Sequence, residues 1–148
     1  MQPTYAGFWI RTGATLIDLV LILIVFTLPT MMIYGPDEME SGGIILGFWD
    51  LLLNWILPFV LVIWLWRRFY GTPGKMATKL KIVDSSTGNK ISLAQAVVRY
   101  FAYIVSALPL GLGFIWIGFD PRKQGWHDKL AGTLVIRDEA PEPVVFKP

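Results

Sequence analysis

Three long apolar stretches, separated by polar segments, dominate the pattern of hydrophobic positions along the chain. They run from about Phe8 to Tyr34, from Ile44 to Trp66 and from Leu93 to Phe119. As a helix, the second stretch would be about 34 Å long, enough to cross a hydrocarbon core of about 30 Å. Because the apolar residues form continuous runs rather than stripes, the pattern predicts membrane-spanning helices instead of amphipathic ones.

The third apolar stretch is interrupted by the residues PLGLG at positions 109–113. Two full crossings need about 40 residues, more than this stretch contains. The pattern therefore leaves two alternatives, a single crossing or a bent, re-entrant hairpin that pivots on PLGLG. Broken helices line substrate cavities in many transporters, so PLGLG is either part of a cavity wall or a plain bend.

Short β-like runs occur in the polar segments. KLKIVD, a turn at Thr87–Asn89 and the following KIS predict a β-hairpin, and TLVIRD is a further β-like run near the C-terminus. The pattern R-x-x-G-x-x-x-K-x-A-x-x-L-x-I-x-D occurs at 68–84 and again at 122–138. This repeat predicts that both polar segments lie on one side of the membrane and that KLKIVD pairs with TLVIRD.

Together these elements predict an all-α membrane protein with a small cytoplasmic β element. The bundle has two clear transmembrane helices plus a third broken or re-entrant helical region, giving three to four membrane segments. We expect a single domain over residues 1–138 and a flexible, proline-rich tail over residues 139–148.

The composition narrows the chemistry. Hydrophobic residues make up 54% of the chain and charged residues 16%, against about 25% charged in soluble domains. The chain has no cysteine and a single histidine, which excludes disulfides, thiolate metal sites and multi-histidine metal sites. No paired nucleophile and base is evident, so we expect neither an enzyme nor a cofactor, and no nucleic-acid partner.

The distribution of positive charge predicts the orientation. The loop at 35–43 has no Lys or Arg, whereas the segment at 67–92 has six. By the positive-inside rule, the second segment and the N-terminus are cytoplasmic and the first loop is outside, in a multi-pass protein of the cell membrane. Lys and Arg after Phe119 favour a C-terminus inside as well. These cations either hold anionic lipid headgroups or only set the topology: Arg67, Arg68, Lys75, Lys79, Lys81 and Lys90.

Arg11 and Asp18 are the first candidates for a functional site. They are seven residues apart and share one face of the first helix. A charge at bilayer depth costs about 2.5–3.5 kcal/mol on insertion scales, so it usually has a partner or a water path. Asp18 is therefore either a protonatable or cation-binding carboxylate, or a structural clamp paired with Arg11 or Arg99.

Asp50 and Asn54 are the second candidates. Four residues apart in the second span, they lie on one helix face. They either continue a polar route from Asp18 toward the outside or are ordinary interfacial residues.

Two further motifs favour structural roles. GTPGK at 71–75 lacks the spacing of a phosphate-binding loop and follows a membrane span, so it predicts a tight turn with Lys75 at headgroup level. The sequence Trp126-His127-Asp128 predicts a hydrogen-bonded turn. As the lone histidine, His127 is also the natural candidate for a pH sensor.

Three sequence blocks resemble the RDD family of membrane proteins: GFWIRTGATLID, GTPGKMATKLKIVD and FDPRKQGWHDKLAGTLVI. The family is named for one arginine and two aspartates. Arg11 and Asp18 match the first two, and the second aspartate is Asp120 or Asp128, with Asp120 the first choice. The resemblance implies a role in transport, with exchange of a monovalent cation such as Na⁺, K⁺ or Li⁺ for protons. Because a single copy is small to enclose a path, we expect a homo-oligomer. The alternative is a non-transporting accessory or assembly subunit of a membrane complex.

Overall fold

Two long helices form the body of the protein. The computed structural model describes residues 4–40 and 43–138. The first long helix consists of α1 (Phe8–Ile22), a π-helical segment (Leu23–Thr27) and α2 (Leu28–Glu40). The second consists of α3 (Phe48–Asp50), a π-helical segment (Leu51–Ile56) and α4 (Leu57–Phe69). Both are long and apolar enough to cross a membrane, which confirms the two predicted spans.

The two π-helical segments have a common cause in the sequence. Pro29 follows the first segment by two residues, and Pro58 follows the second by two residues. Proline lacks the N–H that an α-helix requires at that position, so the preceding turn is widened to accommodate the missing bond. The two segments contact each other where the long helices cross.

The third apolar stretch is broken where predicted. α6 (Leu93–Ala107) is followed by α7 (Leu112–Ile115) and a 3₁₀ turn (Trp116–Gly118), with an angle of 109° across the break. Leu110 and Gly111 have positive φ angles and make the bend. α7 returns closely against α6, because a Cβ at Gly113 would lie 2.5 Å from Ser106 Cα.

A two-stranded antiparallel sheet joins the two polar segments. β1 (Leu80–Asp84) pairs with β2 (Thr133–Arg137), with Ile82 opposite Val135, and the N-terminal residue Tyr5 bridges to Ile136. The pairing of KLKIVD with TLVIRD is thus confirmed. Tyr5, the segment after α4 and the end of the described chain therefore meet at one end of the bundle.

The predicted hairpin at 80–92 is wrong in its second half, because KIS forms no strand. The Asp84 carboxylate accepts hydrogen bonds from the backbone of Ser86 and Thr87 and closes the turn. The chain then goes directly into α6, whose first turn is held by a capping box between Ser92 and Gln95. Ser92, which the predicted second strand would have contained, is instead the N-cap of α6.

The buried core is small and lies beside the sheet. It includes Ala14, Trp66, Ile82, Ala96 and Val135, whereas most apolar residues of the long helices are exposed. Such an exposed apolar surface suits a lipid bilayer and not water. The predicted fold class is confirmed. α5 (Pro73–Ala77) and α8 (Trp126–Ala131) complete the elements, and the predicted tail at 139–148 lies outside the described residues.

Candidate functional site

The sequence repeat folds twice into the same unit, a short helix followed by a strand. α5 leads into β1, and α8 leads into β2. In each unit a residue with positive φ connects helix to strand: Lys79 in the first and Gly132 in the second. α5 packs on α1 and α8 packs on α6, so each unit places its short helix against one apolar helix.

A buried ion cluster anchors the second unit. Asp128 in α8 is completely buried and accepts a hydrogen bond from Arg11 Nη1 at 2.6 Å and another from Arg99 Nη1. The backbone N–H of Gly125, at the start of α8, donates a third hydrogen bond to this carboxylate at 2.9 Å. Arg11 also donates to the carbonyl of Lys123 at 2.7 Å. One carboxylate therefore ties α1, α6 and α8 together.

The charges of this cluster shift the pKa values of Asp128 and His127 in α8. Burial acts to raise the pKa of Asp128, but the charges of Arg99 and Arg11 outweigh it and hold the pKa below its usual range. Burial lowers the pKa of His127 to about 3. The negative charge of Asp128 acts to raise this pKa, and the positive charges of Arg99 and Arg11 act to lower it. His127 is therefore neutral at neutral pH.

The neutral imidazole of His127 is held by stacking and by a hydroxyl. Its ring lies 4.4 Å from the ring of Tyr103 and 5.1 Å from that of Phe114. Nδ1 is 3.1 Å from Ser106 Oγ, which also accepts the backbone N–H of His127 at 3.1 Å. The predicted hydrogen-bonded turn is present as the first turn of α8.

Asp18 belongs to a different set of contacts. Its carboxylate accepts a hydrogen bond from Thr72 Oγ1 at 2.5 Å and from the Gly74 N–H at 2.7 Å. The predicted pairing of Asp18 with Arg11 or Arg99 is wrong, because both guanidinium groups bind Asp128. Asp18 instead holds the start of α5, the segment that contains GTPGK.

Gly74 is needed for this contact. A Cβ at this position would lie 2.0 Å from the Ala14 carbonyl oxygen and 2.9 Å from Asp18 Cγ. α5 thus lies directly on the backbone of α1. The chain bends at Tyr70 and Gly71, but the tight turn predicted for GTPGK is otherwise wrong, because Pro73–Ala77 forms the helix α5, which is inserted against the first helix.

Two cavities meet at Asp18. The larger, about 460 Å³, lies between α1, α4, α6 and α7, and the smaller, about 280 Å³, lies between the two long helices. Asp18, Val62 and Thr72 border both. Arg11 and Lys75 line only the larger, whereas Asp18 is the one charged residue of the described ranges that lines the smaller.

Lys75 is buried, which does not match the predicted position at headgroup level. Only 7% of this residue is exposed, and it lines the larger cavity. The proximity of Gly71 and the insertion of α5 against α1 turn it inward. Of the other predicted headgroup residues, Arg67, Arg68 and Lys79 are exposed, and Lys81 pairs with Asp138 at 2.8 Å.

Asp50 and Asn54 lie on one face, as predicted, and form a second polar cluster. Asn54 Nδ2 donates to Asp50 Oδ1 at 2.8 Å and to Thr30 Oγ1 at 2.7 Å. Asp50 also accepts the Leu46 N–H at 3.0 Å. No hydrogen bond among the described residues joins this cluster to Asp18, and neither Asp50 nor Asn54 lines the two cavities that Asp18 borders.

Asp120 has a local role. It pairs with Lys129 and accepts the backbone N–H groups of Arg122 at 3.1 Å and Gln124 at 3.2 Å. Burial acts to raise the pKa of Asp120, but these bonds lower it overall. Of the two aspartates considered for the family motif, Asp128 pairs with Arg11, whereas Asp120 lies in the segment before α8 and pairs with Lys129.

Several residues of these sites were missed from sequence. Thr72 and Gly74 hold Asp18, Thr30 holds Asn54, and Ser106 holds His127. Thr72 and Gly74 had a local signal, their place in GTPGK, whereas Thr30 and Ser106 had none. No group of three or more His, Cys, Asp or Glu in the described ranges 4–40 and 43–138 is placed to hold a metal ion.

The two apolar helices, the bent third region and the polar end that joins them define a multi-pass membrane protein. The chain belongs to the RDD family, whose model matches residues 5–132. This confirms the resemblance read from its three sequence blocks.

Three relatives from Bacillus subtilis (strain 168) are similar over most of the chain. "Uncharacterized protein YxaI" is 33% identical, over 88% of this chain and 96% of its own. "Uncharacterized protein YckC" is also 33% identical, over 88% and 83%. "Uncharacterized membrane protein YteJ" is 29% identical, over 94% and 85%. No solved structure matches the chain.

Proposed function

We propose that the protein is a small secondary transporter that exchanges a monovalent cation for a proton, with Asp18 as the titratable site. The observation that carries this proposal is the position of Asp18, in the wall of both cavities and within a membrane-spanning helix. Among the described residues, its hydrogen-bond partners are a hydroxyl and a backbone N–H, not a cation.

The partners of Asp18 suit an exchange. A threonine hydroxyl both donates and accepts hydrogen bonds. Thr72 donates to the ionised carboxylate, accepts from the protonated one, and offers an oxygen beside it to Na⁺, K⁺ or Li⁺. One carboxylate then exchanges one proton for one cation without breaking an ion pair. A single copy is small for a complete path, so a homo-oligomer belongs to the proposal.

The orientation is part of the same proposal. We place the N-terminus, the segment 67–92 and the sheet in the cytoplasm, and the loop 35–43 outside the cell membrane. The excess of Lys and Arg after α4 supports this placement. Because the chain has no cysteine, single cysteines at Ser86 and Ile45 can be tested with a membrane-impermeant maleimide in intact cells. Labelling of Ser86→Cys but not of Ile45→Cys would mean that the orientation is the reverse of the proposed one.

A second candidate is a non-transporting accessory subunit. Gly74 lies so close to Ala14 that Asp18 also acts as a clamp between α5 and α1. In that case the carboxylate has a purely structural role, and the exposed faces of the long helices would contact a membrane-protein partner.

The substitution Asp18→Asn separates the two candidates. Sealed proteoliposomes holding only this protein would receive pulses of Na⁺, K⁺ or Li⁺, with internal pH read from a trapped dye. Asp138→Asn is the matched control, since this substitution makes the same chemical change in an exposed ion pair.

The transporter candidate predicts cation-driven proton flux that is lost in Asp18→Asn and kept in Asp138→Asn, with both proteins folded. The accessory candidate predicts no flux for any ion from the intact protein. It also predicts that Asp18→Asn lowers the unfolding temperature or the oligomeric state.

A further inference from the structure

Lys75 is a buried cation without an anionic partner in the part of the chain that the structure describes. Its side chain lines the 460 Å³ cavity and is 7% exposed. No carboxylate lies within ion-pair distance, and the ammonium has no hydrogen-bond partner among residues 4–40 and 43–138. A buried charge is costly unless it is paired, so a ligand that supplies the missing charge would be favoured at this place.

The repeat provides an internal comparison. Lys75 in the first unit corresponds to Lys129 in the second, and Lys129 pairs with Asp120. Asp120 stands two residues before Arg122, and the corresponding residue, two before Arg68, is Trp66. The first unit therefore has an indole where the second has the carboxylate, and Trp66 borders the same cavity as Lys75.

The charges at and next to this cavity do not cancel. Arg11, Lys75 and Asp18 line it, and Asp128 and Arg99 form the buried ion cluster with Arg11. Their formal charges are three positive and two negative. His127 is neutral because burial lowers its pKa to about 3. One positive charge is left over, and Lys75 is the cation that lines the cavity without an ion-pair partner among the described residues.

The remaining walls are mainly apolar. Phe8, Val62, Trp66, Phe114 and Ile117 line the cavity, together with three threonines and two tyrosines. Its volume lies in the range of about 300–1,000 Å³ that is usual for small-molecule sites. A hydrated inorganic anion would satisfy Lys75 but not these walls, whereas an apolar molecule would satisfy the walls but not Lys75.

We infer that this cavity binds an amphiphile with a single anionic head, which pairs with Lys75, and an apolar body that fills the space beside Trp66 and Phe114. The inference goes beyond the proposed exchange at Asp18 and does not rest on it. The anionic head could belong to a free long-chain carboxylate or to an anionic lipid of the bilayer, and the experiment below separates these sources.

Native mass spectrometry of the full chain, released from a neutral detergent, counts bound molecules directly. Dodecanoate is titrated against dodecanol, and phosphatidylglycerol against phosphatidylcholine. The variants are Lys75→Met and, as matched control, Lys79→Met, which removes an exposed lysine one helical turn away in sequence. Lys75→Arg keeps the charge and should keep the binding.

The expected result is one adduct of the anionic probe and none of its neutral counterpart. Because a charge-assisted hydrogen bond contributes about 1.5–3 kcal/mol, Lys75→Met should weaken binding roughly 10- to 100-fold. Lys79→Met should leave it unchanged. A Lys75-dependent adduct of dodecanoate identifies a free carboxylate as the source, and one of phosphatidylglycerol alone identifies a lipid headgroup. Either supports the inference.

Three results would overturn it. Binding of dodecanol or phosphatidylcholine to the wild-type protein as tight as that of the anionic probes would overturn it, and this comparison requires no variant to fold. Equal binding by wild type and folded Lys75→Met would remove the role of Lys75. Equal losses in Lys75→Met and Lys79→Met would mean that surface charge alone attracts the probe.

Discussion

The buried carboxylate of Asp128 should be the most sensitive single position for stability. Asp128→Asn preserves the shape of the side chain but removes the charge that faces Arg99 and Arg11. Both Asp128 and Arg99 are completely buried, and Arg11 nearly so. The amide group would also direct N–H donors at guanidinium donors, because an Asn has one acceptor oxygen where Asp128 uses two.

The size of the effect follows from this geometry. Removing one partner of a buried ion pair costs about 3–5 kcal/mol, because the other charge stays buried and unpaired. Here two cations lose their partner, so we expect a loss at or above the upper end of that range. Since whole domains are stable by only about 5–15 kcal/mol, the variant should be close to unfolding at ambient temperature.

The assay is unfolding by sodium dodecyl sulfate in mixed micelles, followed by tryptophan fluorescence. Asp138→Asn is the control, because Asp138 pairs with Lys81 at the surface and exposed pairs contribute about 0–1 kcal/mol. The double variant Asp128→Asn with Arg99→Met should lose less than the sum of the single losses, since the second change removes one orphaned charge.

Two results would refute this reasoning. A loss below about 1 kcal/mol in Asp128→Asn would mean that the cluster does not hold the helices together. Strict additivity in the double variant would mean that Arg99 and Asp128 do not act as a pair.

The remaining predictions concern three other positions. Gly74→Ala should lower the unfolding free energy by about 1–3 kcal/mol, because its Cβ would collide with the Ala14 carbonyl. Gly13→Ala, which meets nothing within 4 Å, should be neutral or slightly stabilising in the same unfolding assay. The folded pKa of His127, about 3, lies below its unfolded value of about 6.5, so the unfolded chain binds the extra proton between these pH values. Stability should therefore fall by about 1.4 kcal/mol per pH unit as pH drops through this window, and His127→Phe should remove that slope in pH-dependent unfolding. Lys75→Met should raise or leave unchanged the unfolding temperature of the ligand-free protein, because it removes a buried unpaired charge; a lowered temperature would mean that Lys75 has a partner.

The sequence predicted those features that depend on local pattern. Continuous apolar runs identified the two spans, and PLGLG identified the break between α6 and α7. The pairing of β1 with β2 came from the repeat, since two copies of one motif can pair only if they lie together. The false strand at KIS could have been avoided, because Ser92 and Gln95 have the spacing of a capping box and predict a helix start.

The pairing of charges could not be predicted in the same way. Arg11 and Asp18 share a helix face, yet Arg11 binds Asp128, which is 117 residues away, and Asp18 binds Thr72. Spacing along one helix says which residues share a face but not which neighbouring element packs on it. That packing depends on close approach of the backbone at Gly74 and on where the bent third region places α8.

The two copies of the helix–strand unit differ in how the charges at their short helices are paired. In the second unit the two ionic side chains of α8 that follow His127 are paired: Asp128 has two arginines and Lys129 has Asp120. At the first unit, Asp18 of α1 holds α5 through neutral donors, and Lys75 faces the cavity with no carboxylate in ion-pair contact among the described residues. Paired charges stabilise one arrangement and resist change, whereas a carboxylate on neutral donors and an unpaired ammonium respond to protons, cations or anions from outside. The second unit therefore has the features of a scaffold, and the first has the features of a binding site.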